Sequence, residues 1–247
     1  MRYSGSKKRY AKEIGNIISK FLSKDTYYIE PFVGGANLFS TINHNKKIGI
    51  DINECVIDLW KNLQKGLDIP FKNRFLLTEW QYESMKYDYY NGMIKYPKWM
   101  LGYVGNCCSY GSALWNGYAK YNATKDEDHI KEAYNGLIRQ LDTFYFLKEC
   151  IFVNTSYDMY DYPPNSVIYC DPPYSNTKGY GCDFNNDKFW DWCRKMSKNG
   201  HKVFISEYNA PSDFVCVWIK QKKDGMGTTY YGNKQNTKIE KLFTYNI

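Results

Sequence analysis

Residues 167–175 read VIYCDPPYS, an apolar run that leads directly into an acid, two prolines and a tyrosine. Val167, Ile168, Tyr169 and Cys170 have the composition of a short buried strand. Asp171 falls where that strand ends. Pro172 and Pro173 fix the backbone and cannot donate to a sheet ladder, so the turn carries carbonyls with no strand partner. Tyr174 adds an aromatic face on the same stiff turn. This set suits a primary exocyclic amine on a nucleobase, such as adenine N6. Its lone pair is delocalised into the ring and attacks poorly. Two acceptors, one on each N–H, favour a pyramidal nitrogen and aim the lone pair at an electrophile. Asp171 offers one acceptor, the Pro172 carbonyl the other, and Tyr174 a surface on which the base can stack. A rigid turn supplies the fixed relative placement such a reaction needs. The plainer alternative is a strand-ending turn that happens to contain prolines.

Other stretches have chemistry to offer. In EPFVGGANLF, residues 30–39, Gly34 and Gly35 allow a ligand close to the backbone, and a glycine turn after a first strand is where doubly wound folds bind nucleotides. The pattern is not G-x-G-x-x-G, which disfavours a nicotinamide cofactor. Asp51 ends the next strand, where an acid accepts hydrogen bonds from ribose hydroxyls; a solvated strand-end Asp is the alternative. In RYSGSKKR, residues 2–9, Gly5 and the small serines suggest a loop before a helix, with Lys7 placed for an anion. Residues 89–125 contain no Asp or Glu, but interleave Lys95, Lys98, Lys120 and Lys125 with tyrosines and tryptophans. That mixture suits phosphate contact and base stacking, or else a self-packed aromatic core. Within it, residues 109–120 form a glycine-bearing loop able to lie close to nucleic acid.

The elements that must position these residues follow from periodicity. Residues 7–22 carry Ile14, Ile17, Ile18, Phe21 and Leu22 at helical spacing. Strands are expected at 26–30 and 47–51, with the glycine turn leading from the first into a helix. Asn53 caps a second helix with apolar face Val56, Ile57, Leu59, Trp60 and Leu63. Further helices are expected at 127–148 and 186–198, and strands at 151–154, 167–170, 201–206, 213–220 and 238–245. Strand–helix alternation predicts an α/β fold with a parallel sheet, interrupted by an inserted module at 66–149. The catalytic unit is then 1–65 together with 150–247.

Composition bounds the rest. A chain of 247 residues with 43% hydrophobic content supports one α/β domain with an insertion. No apolar run approaches a membrane span and the N-terminus has no signal-peptide core, so a cytoplasmic protein is expected. Eight cysteines without a C-x2-C pair, and three histidines, point to reduced thiols and no metal site. The net charge of +7 is concentrated near the two ends: residues 1–30 hold seven basic and three acidic residues, and 178–247 twelve and seven. That excess permits a nucleic-acid partner without requiring one.

Taken in order, YSGSK (3–7), EPFVGGANLF (30–39) and DPPY (171–174) resemble the motifs of the Dam-like, D12-class adenine-N6 DNA methyltransferases. SEYNAP (206–211) and KIEKLF (238–243) resemble later segments of phage and bacterial members. The resemblance implies a Rossmann-like S-adenosylmethionine-dependent methyltransferase sheet with an inserted, mainly helical DNA-recognition subdomain. It implies S-adenosylmethionine held by Tyr3, Gly5, Lys7, Glu30, Pro31, Phe32, Gly34, Gly35, Asp51, Ile52 and Asp171. It implies a flipped adenine of double-stranded DNA at Asp171, Pro172, Pro173 and Tyr174. DNA contacts are expected from Lys95, Lys98, Tyr110, Ser112, Trp115, Asn116, Tyr118 and Lys120. Two departures stand out: Ala36 where the family often has Gly, and Tyr3 where some members have Trp. Cytosine-N4 methylation shares the chemistry, but related enzymes often carry Ser in place of Asp171. RNA as substrate and a non-catalytic DNA-binding protein on the same fold stay open. No nuclease motif is present, so a free-standing methylase is expected rather than a fused restriction enzyme, in a phage, orphan or restriction-modification setting; a monomer is expected, and no metal, because the donor's sulfonium already supplies a strong electrophile.

Overall fold

A computed structural model of the chain describes residues 1–93, 95–173, 184–221 and 239–245. Its strands are β1 (Tyr28–Glu30), β2 (Lys47–Asp51), β3 (Ile151–Asn154), β4 (Val167–Cys170), β5 (Lys202–Glu207), β6 (Phe214–Gln221) and β7 (Ile239–Tyr245). They form one sheet in the order β3-β2-β1-β4-β5-β7-β6. β1 pairs in parallel with β2 on one side and β4 on the other, and β5 continues in parallel from β4. β7 runs antiparallel between β5 and β6. The order therefore reverses between β1 and β4. In such doubly wound sheets, ligands bind in the crevice beyond the carboxyl ends of the strands at the reversal.

Side chains alternate across the sheet, so each strand feeds two cores. Tyr28, Val167, Tyr169, Phe204 and Leu242 face one layer of helices. Ile29, Ile168, Cys170, Val203 and Ile205 face the other. The second layer is α6 (Asn186–Lys198), which buries Phe189, Trp190, Cys193 and Met196. The first layer holds α1 (Ala11–Ile18), α2 (Glu54–Gln64) and three helices from the middle of the chain, α3 (Glu79–Asn91), α4 (Lys98–Cys107) and α5 (His129–Asp142). α2 begins where expected: the Asn53 side chain accepts hydrogen bonds from the N–H groups of Cys55 and Val56. α3 starts with a capping box between Thr78 and Gln81. α4 packs on α2 so closely that a Cβ at Gly102 would stand 2.2 Å from the Cys55 carbonyl oxygen. Tyr82, Tyr103 and Trp115 join the same buried cluster as Trp60 and Phe39. The aromatic richness of the middle block thus builds largely onto the first core.

Three expected helices differ; the one expected over 127–148 is helical only over α5 and is followed by a 3-10 turn at Leu147–Glu149. The periodic stretch 7–22 is helical only over α1, followed by a 3-10 turn at Ser19–Phe21. After β1 the glycine turn leads to no α-helix, only to a 3-10 turn at Phe39–Thr41. Gly34 at φ 41 and Ala36 at φ 50 lie in the left-handed region, which a right-handed helix cannot include. Seven cysteines are unpaired among the described residues, six of them buried. No described helix is long and apolar enough to cross a membrane, and the described residues contain no His/Cys/Asp/Glu group able to hold a metal ion.

Candidate active site

The carboxyl ends of β1, β2 and β4 deliver Glu30, Asp51 and Asp171 to one edge of the sheet. The N-terminal loop closes over that edge. Lys7 Nζ lies 2.9 Å from Asp171 Oδ1 and donates to the Gly5 carbonyl at 3.0 Å. Lys7 is buried and Asp171 retains partial exposure. Gly5 at φ 73 makes the bend that returns the chain toward α1. Pro172 is buried and Pro173 half-buried directly after Asp171. Tyr174 lies outside the described residues.

The glycine loop is held from several sides. Gly34 N–H donates to Asp51 Oδ2 at 2.9 Å, and Trp60 Nε1 donates to the Gly34 carbonyl at 2.8 Å. The Tyr3 ring lies against the loop: a Cβ at Gly34 would stand 2.7 Å from Tyr3 Cε1, and one at Gly35 would stand 2.6 Å from Tyr3 Cβ. The close approach that the glycines permit is therefore made here by an aromatic ring of the chain itself. Asp51 also accepts the Asn53 N–H on its other oxygen, at 2.9 Å. Burial pushes its carboxyl up, against the pull of those two N–H bonds. Each oxygen keeps a second lone pair, so the acceptor role expected of Asp51 stays open. Ile52 next to it is 69% exposed, an apolar side chain at the crevice rim. Pro31 is buried, and Phe32 packs in a ring cluster with Tyr157, Phe184 and Phe189.

Glu30 is buried between these parts. Tyr28 Oη donates to its Oε1 at 2.6 Å. Burial, with the negative charge of Asp171 added, pushes the Glu30 carboxyl up to about 8, although the Tyr28 bond and Lys47 oppose the shift. Lys47 is itself buried, its ammonium donating to the carbonyls of Phe39, Ile42 and Tyr145. Burial pulls it down to about 8. The edge thus carries acids of different character: Asp171 paired with a cation, Asp51 bonded to backbone, and Glu30 buried against the Tyr28 hydroxyl.

The residues expected to meet nucleic acid have varied surroundings. The loop 109–118 is pinched at its neck by a bridge between Ser109 and Tyr118 and by Tyr110 N–H on the Gly117 carbonyl at 2.8 Å. Gly111, Ser112, Trp115 and Gly117 all have positive φ, so its shape is set by the backbone. Trp115 is 2% exposed and packs between Tyr82 and Tyr89, its indole N–H without a hydrogen-bond partner. Tyr110 is 69% exposed and Asn116 also faces solvent, while Tyr118 is half-buried and donates to the Leu77 carbonyl. Lys98 pairs with Glu54, Lys120 pairs with Glu79, and Lys95 donates to Ser84 Oγ at 3.3 Å.

A family model for D12 class N6 adenine-specific DNA methyltransferases matches residues 3–239. The chain belongs to that family. This D12-class chain is 25% identical over 224 residues to the DNA N-6-adenine-methyltransferase of Escherichia phage P1, a match covering 79% of this chain and 28% of that protein. It is 26% identical over 209 residues to the type II methyltransferase M.FokI of Planomicrobium okeanokoites, covering 78% of this chain and 31% of that one. The chain thus spans less than a third of the length of these curated relatives. Among solved structures, the rRNA methyltransferase aviRa from Streptomyces viridochromogenes superposes with a TM-score of 0.44 at 9% identity, covering 98% of this chain and 86% of that one. The putative methyltransferase yhhF from Escherichia coli gives 0.39 at 7% identity, covering 100% and 91%.

Sequence reasoning missed the side chains that hold the D12-class glycine loop from behind. Trp60 lies on the apolar face of α2, yet its indole N–H donates to the Gly34 carbonyl. Gln140 donates to the carbonyls of Gly35 and Ala36. Its one signal is position: it continues the buried row Ile130, Ala133 and Leu137 of α5, where a polar residue needs a partner.

Proposed function

We propose that this D12-class chain transfers a methyl group from S-adenosylmethionine to N6 of an adenine turned out of duplex DNA. The reading rests on the family match together with the ion pair of Lys7 and Asp171 beside the glycine loop, at the point where the strand order reverses. The residues present fit an adenosyl cofactor. A carboxylate with spare lone pairs ends β2, an aromatic ring lies on the glycine loop, and an apolar side chain borders the same edge. Tyr3, Gly34, Gly35, Asp51 and Ile52 would hold it, and when bound it supplies an electrophilic methyl on a sulfonium.

The chain's own residues would do the remaining work. Asp171 accepts one N–H of the target amine and the Pro172 carbonyl the other, which turns the nitrogen lone pair out of conjugation. Lys7 holds the Asp171 carboxylate in one orientation, so little reorganisation is needed when the base arrives. Tyr174 stacks on the base, offsetting part of the roughly few kcal/mol needed to extrude it. Asp171 orients the amine more than it deprotonates it. Residues 66–149 act as the recognition unit, with Tyr110 and Asn116 at the open side of the loop 109–118 and Lys95, Lys98 and Lys120 near the phosphates. Lys98 and Lys120 would exchange acidic partners on the protein surface for phosphates.

The test is transfer of a tritiated methyl group to unmethylated duplex DNA, followed by digestion to nucleosides. Label in N6-methyldeoxyadenosine supports the proposal. Label in N4-methyldeoxycytidine, or none in DNA, overturns it.

A further inference from the structure

Ala36 is fully buried and occupies a left-handed conformation, φ 50. A side chain there carries a steric penalty that glycine does not, so something must hold the bend. Gln140 does so. Its Nε2 lies 2.9 Å from the Ala36 carbonyl oxygen, 3.0 Å from that of Gly35 and 3.2 Å from Ser40 Oγ. Gln140 is 8% exposed, and its Oε1 has no hydrogen-bond partner. The amide therefore presents its donor end to the loop and gains no bond at its acceptor end. Swapping the two ends would set an oxygen against two carbonyls, which fixes the orientation. Across the loop, Trp60 takes the Gly34 carbonyl, so three successive carbonyls are bound by side chains from α2 and α5.

The other end of α5 is tied to different parts of the molecule. Arg2, next to Tyr3, donates to the His129 carbonyl at 3.4 Å and pairs with Glu132. The N-cap Asp128 accepts the Arg74 N–H at 3.0 Å. Gln140 lies eleven residues along from His129, about 16 Å up the helix. A single rigid helix thus joins the N-terminal loop and the middle block, at its start, to the glycine loop near its end.

We propose that Gln140 is a positioning residue that fixes the bend at Ala36 and couples helix α5 to the glycine loop, so that DNA engaged by residues 66–149 and cofactor held at that loop sense one another. The proposal rests on the methyltransferase reading. Gln140→Met keeps length and removes the donor. S-adenosylhomocysteine, which cannot react, is titrated by calorimetry into both proteins, with and without saturating sheared duplex DNA. In the wild type, DNA changes the affinity about fivefold or more. Gln140→Met binds S-adenosylhomocysteine about tenfold more weakly, and DNA shifts its affinity by less than about twofold. Adding Ala36→Gly to Gln140→Met recovers about threefold or more of the loss, because glycine adopts the bend unaided. Wild-type affinity and wild-type coupling in Gln140→Met, or no recovery with Ala36→Gly, overturns the proposal. Should Gln140→Met not fold, hydrogen exchange on the wild type decides: DNA must alter protection at residues 33–37 together with the last turn of α5, and a change in only one of the two overturns it. Wild-type protein that bound no S-adenosylhomocysteine would overturn the methyltransferase reading and this proposal with it, a failure distinct from the others.

Discussion

Glu30→Gln isolates the buried acid at the end of β1. In the folded chain its carboxyl stands at about 8, against 4.5 as its ordinary value, chiefly because of burial. Between those values the folded protein holds a proton that the unfolded chain has released. A raised folded value contributes stability that is fully present below the unfolded pKa and is lost as pH rises through the folded one. Over pH 5.5 to 7.5 the loss from this one group is about 2.5 kcal/mol. Gln is neutral at both pH values and can still accept the Tyr28 hydroxyl. Urea unfolding of wild type and variant at both pH values gives four free energies, and contributions from other groups cancel in the difference. The variant gains about 2–3 kcal/mol relative to wild type on going from pH 5.5 to 7.5. Stopping at pH 7.5 leaves Lys47, which burial pulls down to about 8, mostly protonated in both proteins. Equal pH slopes for the two proteins would refute the assignment of a protonated Glu30 in the folded state.

Other consequences follow from single contacts. Gly35→Ala drives a Cβ to 2.6 Å from Tyr3 Cβ and 2.7 Å from Asn37 Nδ2, so the N-terminal segment must shift; unfolding free energy falls by about 1–3 kcal/mol and cofactor affinity falls with it, both read on the purified variant. Asn53→Ala removes the acceptor for the Cys55 and Val56 N–H groups and lowers stability by about 1 kcal/mol in urea titration. Tyr110→Ala removes an exposed ring from the loop 109–118, so duplex DNA affinity by fluorescence anisotropy drops about fivefold or more while the melting temperature holds.

What could be read ahead of the structure was what local pattern encodes. β2 follows from five residues buried on both faces, and α2 from a cap and an apolar face written in consecutive residues. The acids at the ends of β1, β2 and β4 were legible because a parallel sheet puts all strand ends on one edge. The missing helix after Gly35 was not, because positive φ at Ala36 depends on a partner 104 positions away. Gln140 itself belongs to no motif, and its role exists only once α5 is docked on the glycine loop. Trp115 looked available by composition, yet it is buried between Tyr82 and Tyr89, which no local periodicity announces. Lys98 and Lys120 were legible as basic but not as partners of Glu54 and Glu79, since those pairings join different helices and loops.

In the proposed reaction the carboxylate at position 171 orients the attacking amine. Single-turnover methyl transfer to duplex DNA with wild type and Asp171→Ala, alongside donor affinity measured on the same preparations, isolates that role. In Asp171→Ala the transfer rate falls about a hundredfold or more, with donor affinity changed by less than about tenfold. Transfer at the wild-type rate by a folded Asp171→Ala protein would contradict that role.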